Sequence, residues 1–309
     1  MAVWKSKVRF IGAGAIGIAA IWTLITLIKP IIEGMKISVK SMNSSSAERE
    51  LHRMDTDMST KSVLGVFILI LIGLVFTFWD FVSVVPISAG LMWTLVVVGI
   101  VVALLIGFFV AAACGYMAGL IGTSASPISG IGILATIISS LVVYFIAAEN
   151  NLFATQEGVQ FATAMAIFMT SVVIAIASIS NDNLQDLKTG QLVGATPWRQ
   201  QIALLLGSVA GAIAIAPVLN LLYQAYGFTG ALPRAEMDPN AALSAPQATL
   251  MTTIAQGIFN SSMDWDYILI GVGVGVVAII VNLILKSTTA TLTLPPLAVG
   301  MGIYLPPTL

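Results

Sequence analysis

Apolar runs of membrane length alternate with short polar connections along this chain. Stretches at 62–83, 88–121, 131–147, 159–180, 200–223 and 266–286 each suit a helix crossing a hydrocarbon core about 30 Å thick. An earlier apolar stretch, 8–28, starts among Lys5, Lys7 and Arg9. The Lys29-Pro30-Ile31-Ile32-Glu33 that follows has no small-residue cleavage pattern, so 8–28 reads as a retained membrane segment rather than a signal peptide. Residues 245–259 are apolar but too short to cross, which predicts a half-helix or a re-entrant segment. A last apolar piece begins near Leu292 and runs to Leu309. The one substantial polar connection is 29–61, where Ser45 and Glu48 have capping-box spacing for a short helix over 47–53. The expected organisation is a single transmembrane domain over 1–309, itself part of something longer, with 29–61 as a cytoplasmic loop.

Composition makes the class firm. The chain is 58% hydrophobic and 9% charged, whereas a soluble domain carries about 25% charged residues. The predicted fold is therefore an all-α polytopic membrane protein. It is a bundle of transmembrane helices with broken or re-entrant segments, and an internal repeat is an open reading. The lone Cys114 rules out an internal disulfide framework. With His52 as the single histidine, no zinc or haem site is expected from this chain alone. Nothing basic and aromatic points to nucleic acid. No cofactor, metal or catalytic residue is expected.

Charge is informative only loop by loop. The 29–61 connection holds six Lys/Arg, 181–199 holds Lys188 and Arg199, and 148–158 holds none but carries Glu149 and Glu157. The positive-inside rule then puts 29–61 and 181–199 inside and 148–158 outside. This parity requires 122–130 to lie at the inner side or dip into the membrane, and 245–259 not to cross. Lys286 then ends its span inside. The basic residues at 5–9 conflict with a single crossing by 8–28, unless that stretch turns back at Gly12-Ala13-Gly14 or the chain is a piece of a longer one.

Four features carry candidate chemistry. Gly122-Thr-Ser-Ala-Ser-Pro-Ile-Ser-Gly130 interrupts an apolar run with helix breakers and hydroxyls. Pro127 removes a backbone donor and disfavours helix at Ser126, while Ser124, Ser126 and Ser129 offer hydroxyls beside Gly130. Residues alone leave a solute site and an ordinary tight connection equally open. Thr291-Leu-Thr-Leu-Pro-Pro-Leu-Ala-Val-Gly-Met-Gly-Ile303 is a loose echo: Gly-Met-Gly-Ile at 300–303 answers Gly-Ile-Gly-Ile at 130–133. Paired interruptions of this kind point to a repeated carrier with its site between the repeats, and chance similarity in Gly-rich sequence competes with that. In 181–188, Asp182 and Asp186 stand one turn apart if the segment is helical, as a candidate proton or cation site at a pore mouth. A solvated loop is the rival. Gly190 is expected to stop that helix, and Thr196-Pro197 to cap and start the next. Asp80, beside Trp79, reads as an interfacial carboxylate rather than a buried one.

Two of these segments also carry a family likeness. Residues 114–134, CGYMAGLIGTSASPISGIGIL, and 181–201, NDNLQDLKTGQLVGATPWRQQ, resemble signatures of the oligopeptide transporter (OPT) family. The likeness extends from Val8-Arg-Phe-Ile-Gly-Ala-Gly-Ala-Ile-Gly17 to Leu294-Pro-Pro-Leu-Ala-Val-Gly300, with wording closest to bacterial and yellow-stripe-like members. The resemblance implies a secondary active carrier in a bacterial-type inner membrane, coupled to protons and moving small peptides or metal-chelate complexes. It tips the reading of the broken segment toward substrate contacts from Ser124, Ser126, Pro127, Ser129 and Gly130, and adds a family-like setting to the one-turn pair Asp182 and Asp186 as coupling residues. Members are longer than this chain, so the remaining spans of a full-length protein are expected partners. A solute channel is the first alternative and an intramembrane enzyme the second.

Overall fold

The computed structural model describes residues 7–8, 10–19, 53–123, 128–239, 241–259, 265–289 and 292–304, with scattered positions between 21 and 32. The expected short helix over 47–53 lies almost wholly outside these residues. Within them the chain is a helical bundle: α1 (Phe10–Thr23), α2 (Thr60–Ser83), α3 (Ala89–Ile121), α4 (Ile128–Glu149), α5 (Gln156–Val193), α6 (Pro197–Tyr226), α7 (Pro246–Phe259), α8 (Trp265–Thr288) and α9 (Pro296–Tyr304). Six of these, α2 to α6 and α8, are long and apolar enough to cross a membrane. They coincide with the six stretches that the apolar pattern predicts.

Local chemistry sets the starts. Ser59, Ser88 and Thr155 each stand at an N-cap, and their hydroxyls accept the N–H of Ser62, Leu91 and Gly158. One orphan amide at each helix start is thereby satisfied. The end of α5 departs from expectation. Gly190 does not stop the helix, and the polar 181–193 segment is its continuation. The stop is Gly194, whose φ of 76° is the left-handed geometry that glycine adopts without strain. Gly190 is needed for space instead, because a β-carbon there would run into the Gln200 side chain. Thr196 holds the N-cap position of α6 without a side-chain bond, and Pro197 opens the helix as expected.

At the centre lie α3, α4 and α5. Gly107 faces Ile176 and Gly115 faces Leu184, so α3 and α5 run parallel. Between them α4 runs the other way, with Gly132 against Ile174 and Val143 clustered with Phe161, Ala162 and Met165. The short α7 lies beside α4, from Met251 against Gly132 to Phe259, whose ring is 5.7 Å from that of Phe153. At 14 residues it spans about 21 Å, which is too short to cross, as the sequence predicts. On the far side, α1 packs on α8 through glycines. Gly14 lies under the Ile268 carbonyl and Gly271 under that of Ile11, so a side chain at either would strike backbone. Residues 12–14 are inside α1, so the chain does not turn back there. The glycines allow close helix approach instead.

By contrast, α2 and α6 expose large apolar side chains, among them Leu69, Ile72, Leu206 and Leu221. Water would not tolerate so much exposed apolar surface, but a bilayer does. Asp80 and Trp79 are both exposed near the end of α2, in keeping with an interfacial carboxylate.

Candidate functional site

The two motif-bearing segments, far apart in sequence, meet in space. Gly122 terminates α3 with φ 98° and ψ 163°, and its N–H still donates to the Ala118 carbonyl at 3.0 Å. The next amide, Thr123 N–H, donates to Gln185 Oε1 of α5 at 2.5 Å. One helical turn back, Ser180 Oγ donates to the Ala111 carbonyl at 2.7 Å. Gly115 makes this closeness feasible: a β-carbon there would lie 2.7 Å from Ser180 Oγ. Beneath, Val110, Cys114, Ile131, Ala135, Val173 and Ala177 form a dry cluster that locks α3, α4 and α5 together. The turn after α3 is therefore pinned to α5 by Gln185 of the second signature segment.

The candidates fall unevenly around this junction. Ser124, Ser126 and Pro127 lie outside the described residues. Ser129 and Gly130 are in the first turn of α4, where Gly130 is buried. Asp182 and Asp186 do share one face of a helix, but both are exposed, while Ser180, Leu184 and Gln185 meet α3. Asp186 lines a cleft of about 610 Å³ between α5 and α6, together with Thr189, Gln200 and Ser208. There Gln200 Nε2 donates to the Asp186 carbonyl at 3.0 Å, and Gln200 Oε1 is buried without a partner among the described residues. Gln185, which the sequence places beside the candidate carboxylates Asp182 and Asp186, is instead an anchor of the turn after α3, and Gln200 is a second polar anchor that the sequence reading leaves aside. One signal was present: the buried positions Val173, Ala177 and Asn181 continue at helical spacing into the polar segment and reach Leu184 and Gln185.

The same end of the molecule collects the chain before α2. Arg53 donates to the Gly194 carbonyl at 3.1 Å, Trp198 N–H to the Thr56 carbonyl at 3.3 Å, and Met58 N–H to Gln201 Oε1 at 3.2 Å. Thus 53–58, 122–123 and 185–201 share one end, and 148–158 lies at the opposite end of the 38-residue α5. The echo segment also comes inward. Leu294 N–H donates to Asn282 Oδ1 of α8 at 3.1 Å, so the chain climbs back along α8 before starting α9. Ile133 of α4 and Tyr304 of α9 then share a buried cluster with Ile16, Leu250 and Ile254. The two Gly-x-Gly-Ile segments converge on one apolar core.

Comparison with known proteins adds the family. No solved structure matches the chain. It is 55% identical, over 310 aligned residues, to a Haemophilus influenzae protein named "Putative oligopeptide transporter". The match covers 100% of this chain and 49% of that protein, so the chain spans about half the length of this relative. The family described as OPT oligopeptide transporter protein matches residues 1–309. The chain belongs to the OPT family, whose members are membrane transporters and not enzymes.

Proposed function

We propose that this chain is the transport-bearing part of a secondary active carrier in the bacterial inner membrane, driving uptake of short peptides or metal-chelate complexes with the proton gradient. The observation that supports this best is the tie between Thr123 and Gln185, which joins the interrupted segment 122–130 to the polar extension of α5. A helix end leaves carbonyls and amides without helical partners, and such groups favour a polar cavity over lipid. In this reading Ser124, Ser126, Pro127, Ser129 and Gly130 surround the solute at the mouth of the bundle. Asp182 and Asp186 take up and release the coupling proton on the adjoining face of α5. The rest of a full-length polypeptide completes the pathway.

The test is uptake by the full-length protein in proteoliposomes with an imposed pH gradient, using labelled peptides and chelated iron. A carrier accumulates solute against its gradient, and a channel only equilibrates it. Ser124→Ala and Ser126→Ala should each raise half-saturation severalfold, the net worth of one hydrogen bond at about 0.5–1.5 kcal/mol. Gly130→Leu should abolish uptake while leaving the protein inserted. Wild-type half-saturation in both serine variants would remove the binding role of this segment.

A further inference from the structure

Among the described residues, α6 is a 30-residue helix without one buried residue. It is held near its start, where Gln200 fills the space over Gly190 and where Trp198 and Gln201 meet 56–58. Beyond Gly211 the bundle lets go. Every residue from 212 to 221 is exposed, over nearly three turns and about 15 Å, so this stretch is open on all sides. Exposed side chains such as Ile213, Val218 and Leu219 suit lipid and a protein neighbour equally. The backbone discriminates between the two.

Pro217 lies inside α6. It has no N–H, so the Ile213 carbonyl, about 24 Å along a helix of about 45 Å, loses its helical donor. No serine or threonine occurs in 209–222 to serve that carbonyl from within the helix. In hydrocarbon such a gap is tolerated where a neighbouring helix, a side chain or water supplies the donor, and lipid tails supply none. Asn220 lies seven residues on from Ile213, along the same side of α6. It is exposed, and its carboxamide makes no hydrogen bond among the described residues. The other exposed helix, α2, has no such gap. It contains no proline, and its Thr77 and Ser83 hydroxyls donate to carbonyls of their own helix.

A different side of α6 carries Gly207 and Gly211, four residues apart, each with nothing within 4 Å of the place a β-carbon would take. The same spacing is already used elsewhere in this molecule. On α8, Gly271 and Gly275 lie against the Ile11 and Ala15 carbonyls, so that α8 and α1 meet backbone to backbone. On α6 the equivalent notch is open, and Ala203 and Ala214 extend it at helical spacing.

We propose that α6 is a docking helix rather than a lipid-facing one, and that its occupant is the set of transmembrane spans that a full-length member has beyond the stretch matched here. One of those spans crosses closely at Gly207 and Gly211, and a side-chain donor from them serves the Ile213 carbonyl. The relative of which this chain matches 49% has as much polypeptide again to supply them. A two-fold dimer of this chain fits less well, because its interface is one self-complementary patch, whereas the notch and the proline gap lie on different sides of α6. The assignment is independent of what the protein carries, and its test measures no uptake.

The test uses the full-length protein in lipid vesicles, with Cys114→Ser and no other cysteine, carrying Ile213→Cys or Ala214→Cys labelled with bimane. Brominated lipid should quench each label severalfold less than the same label at the middle of a single-span peptide in the same vesicles. Quenching equal to the peptide's would put lipid on α6 and overturn the proposal. Excimer emission from pyrene at Ala214→Cys would bring two copies of this face together and overturn it as well. Gly207→Leu and Gly211→Leu, which fill the notch, should each lower the melting temperature of the purified full-length protein by several degrees, with Gly211→Ala the milder change. Parent melting temperatures in both leucine variants would remove the close crossing and with it the proposal. If the leucine variants do not insert, Gly211→Ala and the quenching at 213 and 214 decide.

Discussion

Gly65 lies inside the long apolar helix α2 and Gly122 caps the end of α3, and of the two only Gly122 is required for its conformation. With φ at 98° and ψ at 163°, Gly122 occupies backbone space that a β-carbon makes unfavourable. Gly65 is helical and has open space around it. Gly122→Ala should therefore cost about 1–3 kcal/mol, while Gly65→Ala should stabilise α2 by about 0.5–1 kcal/mol. Thermal unfolding of the two purified variants in detergent checks both signs. Gln185 invites a different experiment. Gln185→Leu leaves the Thr123 N–H without its acceptor, at a cost of about 1–3 kcal/mol if the turn cannot rearrange. The same unfolding measurement reads it, and Gln185→Glu, which keeps an acceptor in reach, should be the milder change. For the exposed pair, Asp182→Asn combined with Asp186→Asn should shift the pH dependence of uptake if these carboxylates couple protons. Unchanged uptake at every pH, with normal expression, would return them to a solvated helix face.

At the scale of elements, membrane-crossing helices were legible because length and apolarity alone decide them. A run of about twenty apolar residues has no other stable place for its backbone than a helix in lipid. The extension of α5 was less legible. Its 181–193 segment is polar enough to read as a loop, and it remains helical because α3 and Gln200 pack against it. Propensity does not contain that contact. The pairing of α1 with α8 was not legible either: glycines at 14, 271 and 275 are visible in the sequence, but their partners are not. Gly271→Val should force the Ile11 carbonyl away and cost about 1–3 kcal/mol through overpacking. Gly273→Ala, which has open space, should leave stability near the parent value. Comparing their melting temperatures separates close approach from mere glycine content.

For the whole molecule, sidedness is the property most open to direct measurement. Residues 53–58 and 194–201 are hydrogen-bonded at one end, and Asn150 lies past the end of α4 at the other. In a Cys114→Ser background, cysteines at Asp57 and Leu192 should label from one side of the membrane, and a cysteine at Asn150 from the opposite side. An impermeant reagent applied to sealed vesicles of known orientation decides it. By the charge rule the Asp57 side is the cytoplasm. Labelling of all three from one face would dismantle the topology and, with it, the short path assigned to α7.

Class, crossing segments, the short α7 and the two motif-bearing stretches follow from the sequence by itself, because hydropathy acts locally and a helix in lipid satisfies its own backbone. Contacts between distant segments were settled only in three dimensions. The turn after Gly122 could have been a free connection, but its Thr123 amide is fastened to Gln185, 62 residues further along the chain. Asp182 and Asp186 drew attention as charges, yet the neutral Ser180, Leu184 and Gln185 are the side chains that meet α3. A charge inside or beside an apolar run is conspicuous in one dimension. Which face of a helix a neighbour covers depends on where that neighbour packs, and this is a property of the folded bundle alone.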